Sequence, residues 1–156
     1  GGSQGASFFN EMMPKVIPLL SEKKIQILHF TGKGKTTYAG VGMCVKEIEE
    51  RMDLAYIAAD VVVCRSGAGT LGELIRYRKP SLLIPFPFAS ENHQLENGRF
   101  LTDVVKGSRL LKQEEATSEK ISGEILLLLK DALKYQEALA TWEPEERRDM
   151  AEILHR

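Results

Sequence analysis

Two hydrophobic rhythms alternate along the chain. Short apolar runs closed by glycine or proline read as buried strands, and stretches with apolar residues every three or four positions read as amphipathic helices. Ser7 to Leu20 carries the helical rhythm, with Pro14 and Pro18 placed to kink or divide it. Residues 24–32, KIQILHFTG, read as a strand ending in a glycine turn. Residues 33–44, rich in Gly, Lys and Thr, read as a loop, and Val45 to Ala59 as a helical or mixed segment. A strand from Val61 to Cys64 is followed by a glycine loop, a helix from Thr70 to Arg78 stopped by Lys79-Pro80, and a strand from Ser81 to Phe86. Asn92 to Asp103 reads as helix, residues 108–111 as a short strand, and Ser118 to Ala140 as a long amphipathic helical stretch. Pro144, followed by Glu145 and Glu146, opens a final helix. Strands that alternate with helices predict an α/β fold, a Rossmann-like doubly wound parallel sheet covered on both faces.

Composition narrows the classes. At 156 residues the chain suits one α/β domain with a real core. With 43% hydrophobic and 28% charged residues it has the profile of a globular protein, not a disordered one. A formal net charge of −1 argues against nucleic acid as a partner. Cys44 and Cys64 are the only cysteines and form no C-x-x-C or Cys/His cluster, so neither a disulfide framework nor structural zinc is expected. The densest apolar run, Ile125 to Leu129, is too short to span a bilayer. The chain opens on GGSQGA without a strand before it, although glycine loops of this kind normally follow one; we therefore expect it to be part of a longer protein.

Three polar stretches carry candidate chemistry. Cys64 to Glu73, CRSGAGTLGE, joins a strand to a helix through small residues, so backbone N–H groups and the helix N-terminus can approach an anion. The competing reading is a capping box, in which Thr70 and Glu73 satisfy the free donors of the helix end. GGSQGA poses the same choice: it lacks both the dinucleotide G-x-G-x-x-G pattern and the P-loop lysine. In residues 90–100, SENHQLENGRF, helical spacing puts His93 and Asn97 on one face with Gln94 beside them, a set suited to sugar hydroxyls. Here the alternative is Asn92 as helix cap and the rest as solvated surface. His93 has no second ligand at metal spacing and no Asp-x-Asp pair occurs, so no metal or other cofactor is expected. His29 reads as a strand histidine near a sheet edge.

In order along the chain, GGSQGA (1–6), HFTGKG (29–34), AYIAADVVVCRSGAGTLGE (55–73), KPSLLIPFPF (79–88) and NHQLENG (92–98) resemble the motifs of the MurG family, the membrane-associated N-acetylglucosaminyltransferases of peptidoglycan synthesis. The resemblance covers residues 1 to about 105 by motif and the remainder by helical pattern. It implies a GT-B enzyme of two Rossmann-like domains, of which this chain is the C-terminal, donor-binding half, with the first strand and the N-terminal acceptor domain outside it. The implied reaction moves N-acetylglucosamine from UDP-N-acetylglucosamine to lipid-linked muramoyl-pentapeptide by inverting displacement. That activity would lie on the cytoplasmic side of the bacterial inner membrane, with the full enzyme peripherally associated. Carried over by position, Ser3 lies near the phosphates, and Ala68, Gly69, Thr70 and Leu71 hold diphosphate and sugar through amides and the Thr70 hydroxyl. Glu73 accepts from the ribose hydroxyls, and Gln94 and Asn97, with His93 adjacent, read the hexose. Glu49 falls in the uracil pocket, where the family's FI-x-x-M-like run is here IEERM. Gly69 stands where family members often have Leu.

The resemblance assigns the acceptor site and the general base largely to the other half, so this half alone should bind donor without appreciable turnover. Two further readings stay open from the residues alone. One is the catalytic subunit of a split dolichol-linked N-acetylglucosaminyltransferase, and the other a non-catalytic nucleotide-sugar-binding module. A UDP-sugar epimerase shares the architecture, but no acid/base carboxylate pair argues for it.

Overall fold

A computed structural model describes residues 3–35, 38–40, 42–88 and 93–142. Among the described residues five short strands, each paired in parallel, are interspersed with helices, β2 following β1 directly. The strands are β1 (Ile27–Phe30), β2 (Met43–Lys46), β3 (Val62–Cys64), β4 (Ser81–Leu83) and β5 (Ser108–Leu110). The helices are α1 (Ser3–Leu20), α2 (Met52–Ala58), α3 (Ala68–Tyr77), α4 (His93–Arg99), α5 (Ser118–Lys130) and α6 (Ala132–Ala140). A π-helical turn, Phe100–Val104, continues α4. The final helix expected from Pro144 lies outside the described residues.

The expected α/β class holds, with one departure from a single sheet. Hydrogen bonds group the strands as β1-β2 and as β3-β4-β5. Ile25 and Ile27, before and in β1, and Val61 and Val63, before and in β3, nevertheless pack against the same core cluster beneath α1. β4 is buried along its whole length. Successive strand residues point to opposite faces. Leu82 and Ile84 accordingly join α1 and α5 in one core, while Leu83 joins α3, the π-helical turn after α4, and α6 in the other. Helices therefore cover both faces of the three-stranded sheet, as a doubly wound arrangement requires.

Three boundaries differ from expectation. β2 was read as loop and mixed segment; it is an edge strand paired in register with β1, Ile27 opposite Met43. Its alternating half-buried and exposed residues follow a glycine turn at Gly42, φ +75°. α1 runs unbroken through Pro14 and Pro18. Both prolines sit on its exposed face, opposite buried Met13, Val16 and Leu20, so the carbonyls deprived of donors can face water. The stretch 118–140 divides at Asp131, φ −106° and ψ 22°. The break lets Ile121, Ile125 and Leu128 of α5 fill one core while Leu139 of α6 and the adjacent Trp142 fill the other, Trp142 edge-on to Phe100 at 5.4 Å.

Candidate functional site

The carboxyl ends of β1 and β3 meet the first half of α1. Asn10 Nδ2 donates to the Thr31 carbonyl just beyond β1 at 2.9 Å. The Arg65 guanidinium, just beyond β3, lies 5.2 Å from the Phe8 ring centroid and 4.9 Å from that of Phe9. Loops at this edge of a parallel sheet are where ligands bind.

The loop after β3 decides between the two sequence readings of Thr70. α3 begins at Ala68, two residues earlier than expected, and its N-cap is Gly67 in extended conformation, φ −66° and ψ 151°, with no side-chain cap. Thr70 is the third residue of the helix, so the Thr70–Glu73 capping box is not formed. The first turn's bond runs from Leu71 N–H to the Gly67 carbonyl at 3.1 Å. That leaves the N–H groups of Gly67, Ala68, Gly69 and Thr70 without helical acceptors, at the positive end of the helix dipole. α5 shows the alternative solution, its Lys120 N–H donating to the Thr117 hydroxyl at 3.2 Å. Built Cβ atoms on Gly67 and Gly69 would meet nothing within 4 Å, so open space lies above these amides.

The Leu71 amide bonds to the Gly67 carbonyl and its side chain is fully buried, so it supports the loop from below. Gly69 and Glu73, four residues apart, share the exposed face of α3. Tyr56, buried on α2, stacks on Tyr77 at 5.2 Å with 7° between the rings. Burial, and then a hydrogen bond to Glu73, raise its hydroxyl pKa well above the usual phenol value. The second turn of α3 thus presents a carboxylate on the face that carries the bare amides.

α4 is bound tightly to this loop. Ser66, fully buried, donates from Oγ to the Gln94 carbonyl at 2.5 Å, and its own carbonyl accepts from Asn97 Nδ2 at 3.0 Å. Gln94 Oε1 accepts from Phe86 N–H at 2.9 Å, which orients the Gln94 NH2 as the half left to donate elsewhere. Asn97 is only 5% exposed, and its side-chain amide is held by the Ser66 carbonyl. His93 opens α4 and is half-buried.

Ser3 and Glu49 belong to the side of α1 and of β1-β2. Ser3 is the first residue of α1. The helix's opening turn lies against the loop after β1, where a Cβ on Gly32 would stand 3.7 Å from that of Ala6. Glu49, between β2 and α2, accepts from Arg51 N–H at 3.0 Å and from Lys46 Nζ at 3.1 Å. These two hydrogen bonds hold its carboxyl below the usual carboxylate range. His29 is buried in β1 with Nδ1 2.7 Å from the Tyr38 hydroxyl, and burial lowers its pKa. Burial pushes the Cys64 thiol up to about 12, so it is no nucleophile at neutral pH.

Arg65 answers to a neighbouring cavity of about 480 Å³ lined by Ser7, Phe8, Glu11, Phe86, Phe88 and Gln113. Its Nη1 donates to the carbonyls of Ile84 at 3.0 Å and Pro85 at 3.3 Å, and the Phe86 ring lies 5.4 Å away. Burial lowers its pKa to about 10, so it stays cationic at neutral pH. Residue type alone gives Ser66 and Gly67 no role, because their importance lies in what α4 and the helix end do with them.

This arrangement of loops has counterparts among known proteins. Residues 1–154 match the family described as the glycosyltransferase family 28 C-terminal domain. The chain belongs to that family. Its similarity to UDP-N-acetylglucosamine--N-acetylmuramyl-(pentapeptide) pyrophosphoryl-undecaprenol N-acetylglucosamine transferases is substantial. Identity to that of Anaeromyxobacter sp. (strain K) is 39% over 149 residues, covering 90% of this chain and 38% of the relative. To that of Protochlamydia amoebophila it is 39% over 137 residues, covering 83% and 36%. The chain therefore spans well under half the length of these relatives. The crystal structure of Acinetobacter baumannii MurG superposes with a TM-score of 0.75 at 28% identity, covering 89% of this chain and 42% of that one. A kitacinnamycin glycotransferase structure shares the fold, with a TM-score of 0.70 at 17% identity. Family 28 membership and these neighbours fit the architecture of a GT-B half.

Proposed function

We propose that this chain is the donor-binding half of an inverting N-acetylglucosaminyltransferase of peptidoglycan synthesis, and that it holds UDP-N-acetylglucosamine at the edge described above. The observation that carries the reading is the uncapped start of α3. Four amides without helical acceptors and a helix dipole lie at the carboxyl edge of a parallel sheet, with room at Gly67 and Gly69, in a chain of a glycosyltransferase family. Ala68, Gly69 and Thr70, with the Thr70 hydroxyl, hold the diphosphate. Glu73 accepts from the ribose hydroxyls, the Gln94 NH2 and His93 read the hexose, and Ser3 and Glu49 lie toward phosphate and uracil.

In the displacement, the bond from the anomeric carbon to the UDP oxygen breaks as the acceptor hydroxyl oxygen bonds to that carbon from the opposite side. Negative charge grows on the departing diphosphate, and amides already oriented toward it stabilise that charge without reorganising. The acceptor's proton goes to a general base, which we assign to the other half of the enzyme together with the site for lipid-linked muramoyl-pentapeptide. Among the described residues β1 and β3 each keep one edge unpaired while both reach one core cluster, which favours a further strand between them. Among the described residues no helix is long and apolar enough to cross a membrane. The reading also has the whole enzyme peripheral to the cytoplasmic face of the bacterial inner membrane, where a lipid-linked acceptor would be met.

The test is calorimetric titration of the chain with UDP-N-acetylglucosamine, UDP-glucose and GDP-mannose. Preference for the first, with no transfer to a lipid-linked acceptor by this chain alone, is expected. Equal affinity for GDP-mannose overturns the donor assignment.

A further inference from the structure

Ser66 spends its hydroxyl and its carbonyl on α4. Its hydroxyl reaches the Gln94 carbonyl and its carbonyl receives the Asn97 amide, one helical turn apart. Two bonds to points about one turn apart fix a helix in rotation as well as in position, which a single bond cannot do. Ser66 is fully buried and Asn97 is 5% exposed, so water does not compete for either bond. The approach is close: a Cβ on Gly98 would stand 2.7 Å from Leu110 Cδ1 and 3.6 Å from Ser66 Oγ. Only a residue without a side chain lets α4 sit this near the loop without displacing Leu110. Immediately after Ser66 come Gly67 and the bare amides of α3, and one turn before Asn97 stand His93 and Gln94.

We propose that Ser66 and Asn97 are positioning residues that set the spacing between the diphosphate-binding amides of α3 and the sugar-reading side chains of α4. The proposal rests on the donor-site reading given above. Neither residue touches the ligand. Their role is to make the amides and the Gln94 NH2 act on one donor molecule at once, so that the hexose adds affinity to what the nucleotide diphosphate already provides. Small errors in such spacing are costly, because a hydrogen bond weakens steeply as its geometry degrades.

The distinguishing readout is the ratio of the dissociation constants of UDP and UDP-N-acetylglucosamine, measured by calorimetry on the chain and on Ser66→Ala and Asn97→Asp. The first variant removes the hydroxyl donor at nearly constant volume; the second replaces the amide donor by an acceptor of the same shape. In each, UDP affinity should stay within about twofold of the wild type, while UDP-N-acetylglucosamine affinity falls about tenfold, as expected when one positioned hydrogen bond is lost. If Ser66→Ala does not fold, Asn97→Asp reads the same ratio. Parallel losses for both ligands, or a lowered melting temperature with an unchanged ratio, overturn the positioning role and leave the donor site standing. A wild-type chain that binds neither ligand overturns the donor reading, and the positioning role falls with it.

Discussion

Replacing Gly67 with aspartate should move stability and nucleotide affinity in opposite directions. Gly67 is the N-cap of α3 in the extended conformation that N-cap residues adopt, and nothing lies within 4 Å of a Cβ built there. A carboxylate at this position can reach the N–H of Gly69 or Thr70, which have no helical acceptor. Aspartate gains a few tenths of a kcal/mol over glycine as a cap, and its charge adds about 0.3–1 kcal/mol against the helix dipole. Together these amount to roughly 0.5–1 kcal/mol, or a rise in melting temperature of roughly 1–4 °C for a domain of this size. The same carboxylate takes amides that the account reserves for diphosphate and sets a like charge beside it. At about 4 Å and an effective dielectric near 20, that repulsion alone is about 4 kcal/mol. Even half of it weakens UDP by well over tenfold. Differential scanning fluorimetry and calorimetry on wild type, Gly67→Asp and Gly67→Ser give both quantities. Serine, which competes for the amides without the charge, should show the smaller loss of affinity. Unchanged UDP affinity in a stabilised Gly67→Asp variant would refute the claim that these amides bind the nucleotide.

Other substitutions separate ligand contact from framework. Glu73→Ala, on the exposed face of α3 and no part of a cap, should cost at most on the order of 1 kcal/mol of stability through the lost Tyr56 contact. It should also weaken UDP-N-acetylglucosamine by roughly tenfold or more, measured by calorimetry against thermal melts. Gly69→Leu, at an open helical position, should stabilise the protein by up to about 1 kcal/mol and leave UDP affinity unchanged, because the contact there is through the amide. Iodoacetamide at pH 8 should label exposed Cys44 and spare Cys64, with intact mass showing one adduct on the folded protein and two after denaturation. Because the folded Cys64 pKa is raised from 9.0 to about 12, its contribution to stability is complete below pH 9 and is lost as pH rises from there toward 12.

The strands β3, β4 and β5 and the helix after Lys79-Pro80's strand were legible because their apolar runs are bounded by glycine, proline or polar turns. β2 was not, since a four-residue edge strand with two exposed side chains buries too little to leave a pattern, and partnership with β1 defines it. The break at Asp131 also has no local signal: no glycine or proline stands near it, and the demand of two separate cores divides the helix. At the site, small residues before a helix identified the loop, but Thr70 and Glu73 at capping-box spacing left its use ambiguous. What settled the start of α3 was one backbone bond, from Leu71 to Gly67. For Asn97 and Gln94 the residue types predicted polar contacts, and only tertiary geometry reveals that Ser66 and Phe86 are their partners, both donating to Gln94 while the Ser66 carbonyl accepts from Asn97.

Backbone amide chemical shifts followed during titration with UDP-N-acetylglucosamine test the central claim most directly. The account predicts that the largest changes fall on Gly67, Ala68, Gly69 and Thr70, with smaller ones on His93 and Gln94. Saturable changes confined to the cavity beside Phe88 and Arg65, with the four α3 amides unmoved, would contradict it.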